Sequence, residues 1–322
     1  MPRIPRRTGL LIVTLAVFVF LFSRMDFAKA TAILGQADLW LVAAAFCLSL
    51  TFPWLCAIRW NLIVRRLGTD LGWWNSFILV MAAWPLGTIT PAKSGDLIKI
   101  VFLKDILSYS RTTGVILAER VMDVVALGLF GLVGSMVYGF PTAGLVAGAI
   151  LAGVLLFFLA ASSSLVNRVP AKWRGMMLEV LEASRRLYRS AGTLGIILIV
   201  TLLNWFLTFL QTWICYRALR AEVPFLYVVA ALPIAIFVGL IPITLAGMGT
   251  RDSAIILLFQ PYATWETNLA VGVLYSILGY WFLTLLGIPF LRYAMLGRIR
   301  AIDRESLRQA LESSPRGPMN AE

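Results

Sequence analysis

Long apolar stretches separated by short polar segments make up most of the chain. A helix that crosses about 30 Å of hydrocarbon needs about 20 mostly apolar residues. The stretches that reach or approach this length are Leu10–Phe22, Leu39–Ile58, Thr112–Tyr138, Gly144–Ala161, Thr193–Tyr216 and Leu269–Leu291. The pattern predicts an all-α fold, a polytopic transmembrane bundle of about six spanning helices.

The first stretch follows Arg3, Arg6 and Arg7 and therefore resembles a signal peptide. It is followed by Arg24, Met25 and Asp26, and no small-x-small cleavage site comes directly after it. We interpret this stretch as a retained signal anchor.

Two further apolar stretches, Trp73–Ile89 and Pro224–Ile243, each lead into glycine and an acidic residue, with a proline beside the junction. Each then continues into a second apolar piece that is too short to span a bilayer. A helix that breaks at membrane depth and turns back is a re-entrant hairpin. The two predicted hairpins cover about residues 73–107 and 224–259.

The distribution of Lys and Arg among the loops predicts how these hairpins enter the membrane. Suppose that the amino terminus is cytoplasmic, that the first hairpin enters from the cytoplasm and that the second enters from outside. Eighteen Lys and Arg residues then lie in cytoplasmic loops and tails and four lie outside, as the positive-inside rule requires. We therefore predict inverted hairpins, a membrane domain over residues 1–291 and a charged cytoplasmic tail over residues 292–322.

Composition supports the membrane assignment and narrows the chemistry. The chain is 60% hydrophobic and 14% charged, whereas a soluble domain is about 25% charged. Its net charge of +12 indicates contact with anionic lipid rather than nucleic acid, because no basic run is interleaved with stacking aromatics. The chain has no His, and its three cysteines lie in or beside apolar segments. We predict no disulfide, no metal and no cofactor.

The two hairpins share a short sequence frame, T-x-A-x-x-G, followed in each by an acid. Asp96 follows the first copy at once, and Asp252 follows the second copy three residues later. Inverted repeats with broken helices near the midplane are common in secondary transporters. The frame pairs Thr90 with Thr244, Ala92 with Ala246 and Gly95 with Gly249.

Each break exposes the amino end of a half-helix, whose free N–H groups and dipole favour an anion such as phosphate. Asp96 and Asp252 can cap these half-helices, line a polar pathway, or do both. Irregular backbone at this depth has to be covered by protein or line a wet cavity.

One predicted span carries three charges, Glu119, Arg120 and Asp123, in an otherwise apolar helix. Charges are costly in the bilayer interior, so the three have to face one another or water. They either form a structural Arg120–Asp123 pair, or Arg120 holds an anionic headgroup while the two acids line its path or carry protons. Asn204 and Gln211 share a helix face and are interpreted as hydrogen-bond links between helices. We interpret Arg59 as an anchor at the membrane surface.

Three runs, TITPAKSGDLIKIVFLKD, VILAERVMDVVAL and LPIAIFVGLIPITLAGMGTRDSA, resemble the transmembrane region of lysylphosphatidylglycerol synthases and related flippase-like membrane proteins. The likeness runs from about Arg59 to the last helix. It implies an inner-membrane protein that moves a lipid between leaflets, either an aminoacylated phospholipid or another lipid with a bulky headgroup. About 30 residues follow Leu291, whereas the synthases carry a large soluble domain there, so we expect no synthesis of that lipid.

The candidate substrate site combines the motif positions of the resemblance with the repeat and the predicted depth of the charges. Its members are Thr90, Pro91, Lys93, Gly95, Asp96, Glu119, Arg120, Asp123, Thr244, Gly247, Gly249, Arg251 and Asp252.

The leading hypothesis is a lipid transporter of the bacterial inner membrane that binds an anionic or phosphate-containing lipid. One alternative is a membrane-embedded transferase or hydrolase acting on a lipid-linked substrate, with Asp96 or Glu119 as the base. Another is a non-catalytic partner of a cell-envelope enzyme. The sequence leaves the lipid, the energy source and the oligomeric state open, and a homo-oligomer is compatible with it.

Overall fold

The computed structural model describes residues 15–297 and 299, apart from residues 18, 22, 24, 25, 140, 163–190, 242 and 298. It gives the backbone alone at 91–93, 142, 143, 157–162 and 245. The predicted loop over 162–190 and the predicted tail therefore lie almost entirely outside the described residues, as does the start of the predicted signal anchor.

The described residues form helices joined by short turns, with no strand among them. The α-helices are α1 (Phe27–Gly35), α2 (Leu39–Ser49), α3 (Thr51–Arg66), α4 (Gly72–Thr88), α5 (Ile98–Phe102), α6 (Tyr109–Tyr138), α7 (Pro141–Ser162), α8 (Ala191–Ala218), α9 (Phe225–Leu240), α10 (Thr250–Phe259), α11 (Trp265–Ser276) and α12 (Phe282–Met295). Two 3₁₀ turns interrupt the predicted hairpins: the first break (Pro91–Leu97) and the second break (Leu245–Gly247).

Four continuous helical segments of 28 to 31 residues are long and apolar enough to cross a membrane. They are α2 with α3, α6, α8, and α11 with α12, which a π-helical turn over Ile277–Trp281 connects. The all-α polytopic membrane fold predicted from the sequence is thereby confirmed. The first predicted span is partly described, and its described residues 15–17, 19–21 and 23 are helical.

The structure of α3 differs from the prediction in where the span ends and in the role of Arg59. The span expected to end at Ile58 continues to Arg66, so Arg59 lies within the helix and is 2% exposed. Arg59 is not a surface anchor. Its guanidinium group points into the protein, where it meets the acids of α6.

The second hairpin, α9 and α10, folds back on itself as an antiparallel pair. At its open end the Tyr227 hydroxyl donates to the Leu258 carbonyl at 2.6 Å. At its tip, a Cβ built on Gly239 would lie 2.9 Å from the Arg251 Cβ. The break backbone returns so closely that a Cβ on Gly247 would lie 2.4 Å from the Gly239 carbonyl oxygen.

The first hairpin, α4 and α5, also brings a glycine of its break against the backbone of the preceding helix. A Cβ on Gly95 would lie 2.1 Å from the Leu86 carbonyl group, so only glycine fits where the first break meets the end of α4. The Thr90 hydroxyl closes this turn by accepting from the Gly95 N–H at 2.7 Å. The structural counterpart of Gly95 is therefore Gly247, two positions before the Gly249 of the sequence frame.

Two apolar clusters surround the two hairpins. One joins α3, α4 and the start of α6 around Trp60 and Leu79, and the other joins α8 to α11 around Phe209 and Phe259. The first break contacts the second break, so the tips of the two hairpins meet between the clusters. Asp96 of the first break and Arg251, which follows the second break, bring charged side chains to this junction.

Candidate functional site

Six side chains form a closed ring of alternating charge, which we call the charge ring. Helix α3 supplies one member, the first hairpin supplies two and α6 supplies three, so the ring ties these elements together. Around the ring the ion pairs are Arg59 Nε–Glu119 Oε1 (3.2 Å), Glu119 Oε2–Lys99 Nζ (3.3 Å), Lys99 Nζ–Asp96 Oδ1 (3.9 Å), Asp96 Oδ2–Arg120 Nη2 (3.3 Å), Arg120 Nη2–Asp123 Oδ2 (3.5 Å) and Asp123 Oδ1–Arg59 Nη1 (2.6 Å).

The local sequence of α6 explains why its three charges belong to one ring. Glu119 and Asp123 are four residues apart and therefore share a helix face, on which both reach Arg59. Arg120 pairs with Asp123 at the i,i+3 spacing and, through the same nitrogen, with Asp96 of the first hairpin. Three cations balance three anions, so the ring buries no net charge.

One side of the charge ring is buried and the other is partly exposed; we call them the dry side and the wet side. The side chains of Arg59, Glu119 and Lys99 are at most 5% exposed. Those of Asp96 and Asp123 are 17% and 13% exposed, and that of Arg120 is 36% exposed. Solvent or a ligand therefore meets the ring at Arg120 and its two acids.

Two cavities adjoin the wet side. The main cavity has a volume of about 210 Å³ and reaches from Asp123 to Arg251 of the second hairpin. The minor cavity, about 60 Å³, is lined by Asp96 and the dry members of the ring. Arg120 lines both cavities. The other residues that line both are Cys56, Arg59, Trp84 and Tyr280.

The second hairpin brings a separate ion pair to the main cavity. Arg251 donates through Nη2 to Asp252 Oδ1 at 3.0 Å and to the Ser276 hydroxyl at 2.5 Å. Its guanidinium carbon lies 4.3 Å from the ring centroid of Tyr275, a cation–π arrangement. Asp252 also caps α10, because its Oδ2 accepts from the Gly249 N–H at 2.9 Å.

Three polar atoms of residues that line the main cavity are buried without a hydrogen-bond partner among the described residues. They are Arg120 Nε, Arg251 Nη1 and Asn204 Oδ1. Buried polar atoms are normally satisfied, so each of these indicates water or a ligand group in the cavity. The two arginines come from different halves of the molecule, and both line the main cavity.

Most of the charged residues predicted for the site meet in this region. The charge ring contains Asp96, Glu119, Arg120 and Asp123, and the second pair contains Arg251 and Asp252. The remaining predicted residues shape the breaks: Thr90 and Gly95 close the first break, and Thr244, Gly247 and Gly249 close the second. The side chains of Pro91 and Lys93 lie outside the described residues.

Sequence reasoning missed several residues of the site and misjudged Asn204. Arg59 is the main omission, although an arginine within an apolar run is the signal that could have found it. Gln211 does link helices, since it donates to the Ala45 carbonyl and to Ser49 on α2. Asn204 instead leaves its side-chain oxygen without a partner among the described residues. The aromatic residues of the cavity that were missed are Phe52, Trp84, Trp205, Tyr275 and Tyr280.

Within the part of the chain that the structure describes, no group of three or more His, Cys, Asp or Glu side chains is placed to hold a metal ion. The charged groups of the site are arginine and lysine side chains paired with carboxylates. Such a site suits an anion that competes for guanidinium N–H groups.

A helical bundle with several spans and a charged interior defines an integral multi-pass membrane protein. The family profile described as "Lysylphosphatidylglycerol synthase TM region" matches residues 8–287, and the chain belongs to this family. It is similar to a "UPF0104 membrane protein" of Archaeoglobus fulgidus, 24% identical over 83% of this chain and 89% of the relative. A protein with the same description from Methanothermobacter thermautotrophicus is 22% identical over 88% and 93% of the two chains.

Proposed function

We propose that this protein binds the phosphate of a lipid headgroup in the main cavity and moves that lipid between the leaflets of the membrane. The observation that carries the proposal is the pair of guanidinium groups, Arg120 of α6 and Arg251 of the second hairpin, which line the same cavity. Each has a buried nitrogen without a hydrogen-bond partner among the described residues. Guanidinium groups bind phosphate through pairs of N–H donors.

The remaining lining of the main cavity suits a lipid that is polar at one end. Asn204, Thr208 and Gln211 supply polar groups beside the arginines. Phe52 and Leu240 supply apolar surface that the first carbons of the acyl chains can contact. About 210 Å³ accommodates a headgroup, and the acyl chains remain in the surrounding bilayer.

The two hairpins supply the moving parts in this proposal. We propose that they enter the membrane from opposite sides, with both chain termini in the cytoplasm and the protein in the cytoplasmic membrane. The contact between their tips then separates the two leaflets, and each hairpin opens the cavity to one of them.

Cysteine accessibility tests this topology directly. A thiol reagent that does not cross membranes should label Tyr138→Cys from outside the cell. It should label Ser184→Cys only after the membrane is permeabilised. The opposite pattern would reverse the orientation, and labelling of both from the same side would rule out the inverted hairpins.

Reconstitution tests the transport step. Vesicles with the purified protein should move a headgroup-labelled phospholipid between leaflets, and Arg120→Gln and Arg251→Gln should lower the protein-dependent rate at least about tenfold, the loss of about 1.4 kcal/mol of binding. The matched controls Arg111→Gln and Arg217→Gln remove exposed arginines and should keep the rate. Equal rates in all four variants would refute the site.

Analysis of the lipid afterwards should show no covalent change, whereas a new product would favour the transferase or hydrolase alternative.

A further inference from the structure

The charge ring restricts how an anion can reach Arg120. A guanidinium group binds a phosphate side-on through Nε and Nη2, which point the same way. Arg120 Nε is buried without a hydrogen-bond partner among the described residues, but Nη2 is shared by Asp96 at 3.3 Å and Asp123 at 3.5 Å. A phosphate that takes this edge must displace a carboxylate from Nη2.

Asp96 is the acid that keeps less charge compensation when a phosphate takes Nη2. Asp123 is also held by Arg59 Nη1 at 2.6 Å and accepts from the Trp205 indole N–H at 3.2 Å. The other ion pair of Asp96 in the ring is with Lys99, at 3.9 Å, and Lys99 lies closer to Glu119 at 3.3 Å. Of the ion pairs in the ring, loss of Nη2 leaves Asp123 its short pair with Arg59 and leaves Asp96 its long pair with Lys99.

A displaced carboxylate in this place has too little positive charge around it. The charge ring is balanced before the phosphate arrives, so the phosphate adds one negative charge to a neutral, largely buried site. A buried charge without compensation neutralises by binding a proton. Asp96 has access to one, because it lines the minor cavity, whose roughly 60 Å³ exceeds the roughly 10–15 Å³ that one water needs.

We infer that the lipid phosphate and Asp96 compete for Arg120, and that Asp96 takes up one proton from water when an anionic headgroup binds. The inference rests on the proposed function and adds the proton as a second ligand of the same site. The carboxylate becomes a carboxylic acid, the phosphate takes its place beside Arg120, and the net charge of the site is the same before and after. An anionic lipid thus enters together with a proton.

Several other groups face Asp96 and contribute to its charge environment. Helix α4 brings Gly87 and Thr88, which do not titrate, and the second break contains no titratable residue among those described. Among the described side chains, the titratable and charged groups around Asp96 are Lys99 of the same hairpin, Glu119, Arg120 and Asp123 of α6, Cys56 and Arg59 of α3, and Tyr280 of the π-helical turn.

Binding of a short-chain phosphatidylglycerol to the purified full chain tests the inference, because its phosphodiester has a fixed charge and takes up no proton itself. Calorimetry in buffers of different ionisation enthalpy gives both the dissociation constant and the number of protons. We expect about one proton taken up per lipid, and an affinity that falls up to about tenfold per pH unit between about pH 6 and about pH 8.

The variant Asp96→Asn keeps the shape of the side chain and removes the competing charge. It should bind the lipid with no proton uptake, with an affinity that does not change with pH, and more tightly than the wild type at the upper end of the pH range. The matched control Asp105→Asn removes an exposed acid of the same hairpin region and should behave like the wild type.

The outcomes separate the two proposals. If Arg120→Gln binds the lipid as well as the wild type, the proposed site itself is wrong. If binding depends on Arg120 but the wild type takes up no proton, or Asp96→Asn keeps the wild-type pH dependence, the proton inference alone is overturned. Should Asp96→Asn fail to fold, the proton count of the wild-type protein decides by itself.

Discussion

In both hairpins a glycine of the break packs against the backbone of the preceding helix, but the two hairpins hold their charged side chains differently. In the first, Asp96 and Lys99 belong to the charge ring, in which every charge has two partners and every member lines at least one of the two cavities. In the second, Arg251 and Asp252 pair with each other and are at most 2% exposed. The first arrangement allows partners to be exchanged, because a neighbour is always present. The second holds one geometry.

This difference assigns separate tasks to the two halves. Arg251 is fixed by Asp252, Ser276 and Tyr275, so it offers its remaining nitrogen in a constant direction. Arg120 is held by one nitrogen between two acids and is 36% exposed. We interpret the second hairpin as the rigid side of the proposed site and the first as the side that responds to the ligand.

The largest effect is expected where both hairpins are alike. Gly95→Ala and Gly247→Ala place a methyl group within 2.4 Å of backbone atoms, which no side-chain rotation relieves. Each should cost more than the about 1–3 kcal/mol of ordinary overpacking and abolish folded protein in detergent, as size-exclusion chromatography would show. The control Gly148→Ala has open space around its new methyl group and should elute normally. Normal elution of the Gly95 variant would contradict the conclusion that only glycine fits at this close approach.

Removal of one acid distinguishes the ring from the isolated pair. Glu119→Gln deprives two cations, Arg59 and Lys99, of a shared partner. Asp252→Asn deprives one cation, Arg251, and keeps a side-chain oxygen that can accept from the Gly249 N–H. Loss of one partner of a buried ion pair costs about 3–5 kcal/mol, and we expect Glu119→Gln to lie at the upper end and Asp252→Asn at the lower. Thermal unfolding in detergent measures both, with the exposed Glu222→Gln as the control. A larger loss for Asp252→Asn would reverse the comparison.

Lysine substitutions test whether the two arginines are held differently. Arg251→Lys loses the fork that reaches Asp252 and Ser276 together, and should cost about 2–3 kcal/mol of stability. Arg120→Lys keeps one positive nitrogen between Asp96 and Asp123, and should change stability by less than about 1 kcal/mol. Unfolding temperatures of the two variants in one detergent decide this. Equal losses would mean that Arg120 is as rigidly fixed as Arg251.

The smallest effects concern single hydroxyl groups. Ser276→Ala removes a bond to the charged Arg251 and should cost about 1.5 kcal/mol. Thr284→Val removes a neutral bond to Thr88 at the end of α4 and should cost about 0.6 kcal/mol, the average between membrane helices. Unfolding measurements on both variants and the double variant check the order and its additivity. A larger loss for Thr284→Val would indicate that the first hairpin is the more tightly fixed of the two.

The sequence by itself determined that the chain is an all-α membrane protein of this family and that two broken helices carry acids at their breaks. These features are local: the apolar length of a helix, the glycine that allows a close turn and the spacing of Glu119, Arg120 and Asp123 can all be read along the chain. The charged residues of α6 had to be partnered in a bilayer, so their importance followed without a structure.

Only the tertiary structure showed which partners they have. Arg59 meets Asp123 across 64 positions of sequence, and the two arginines that face the main cavity lie 131 positions apart. The register of the hairpins also required coordinates, because the close approach of Gly247 to Gly239 depends on how the second break bends. The apolar length of a segment can be counted along the sequence. An ion pair depends on a distance of a few ångströms between segments that only folding brings together.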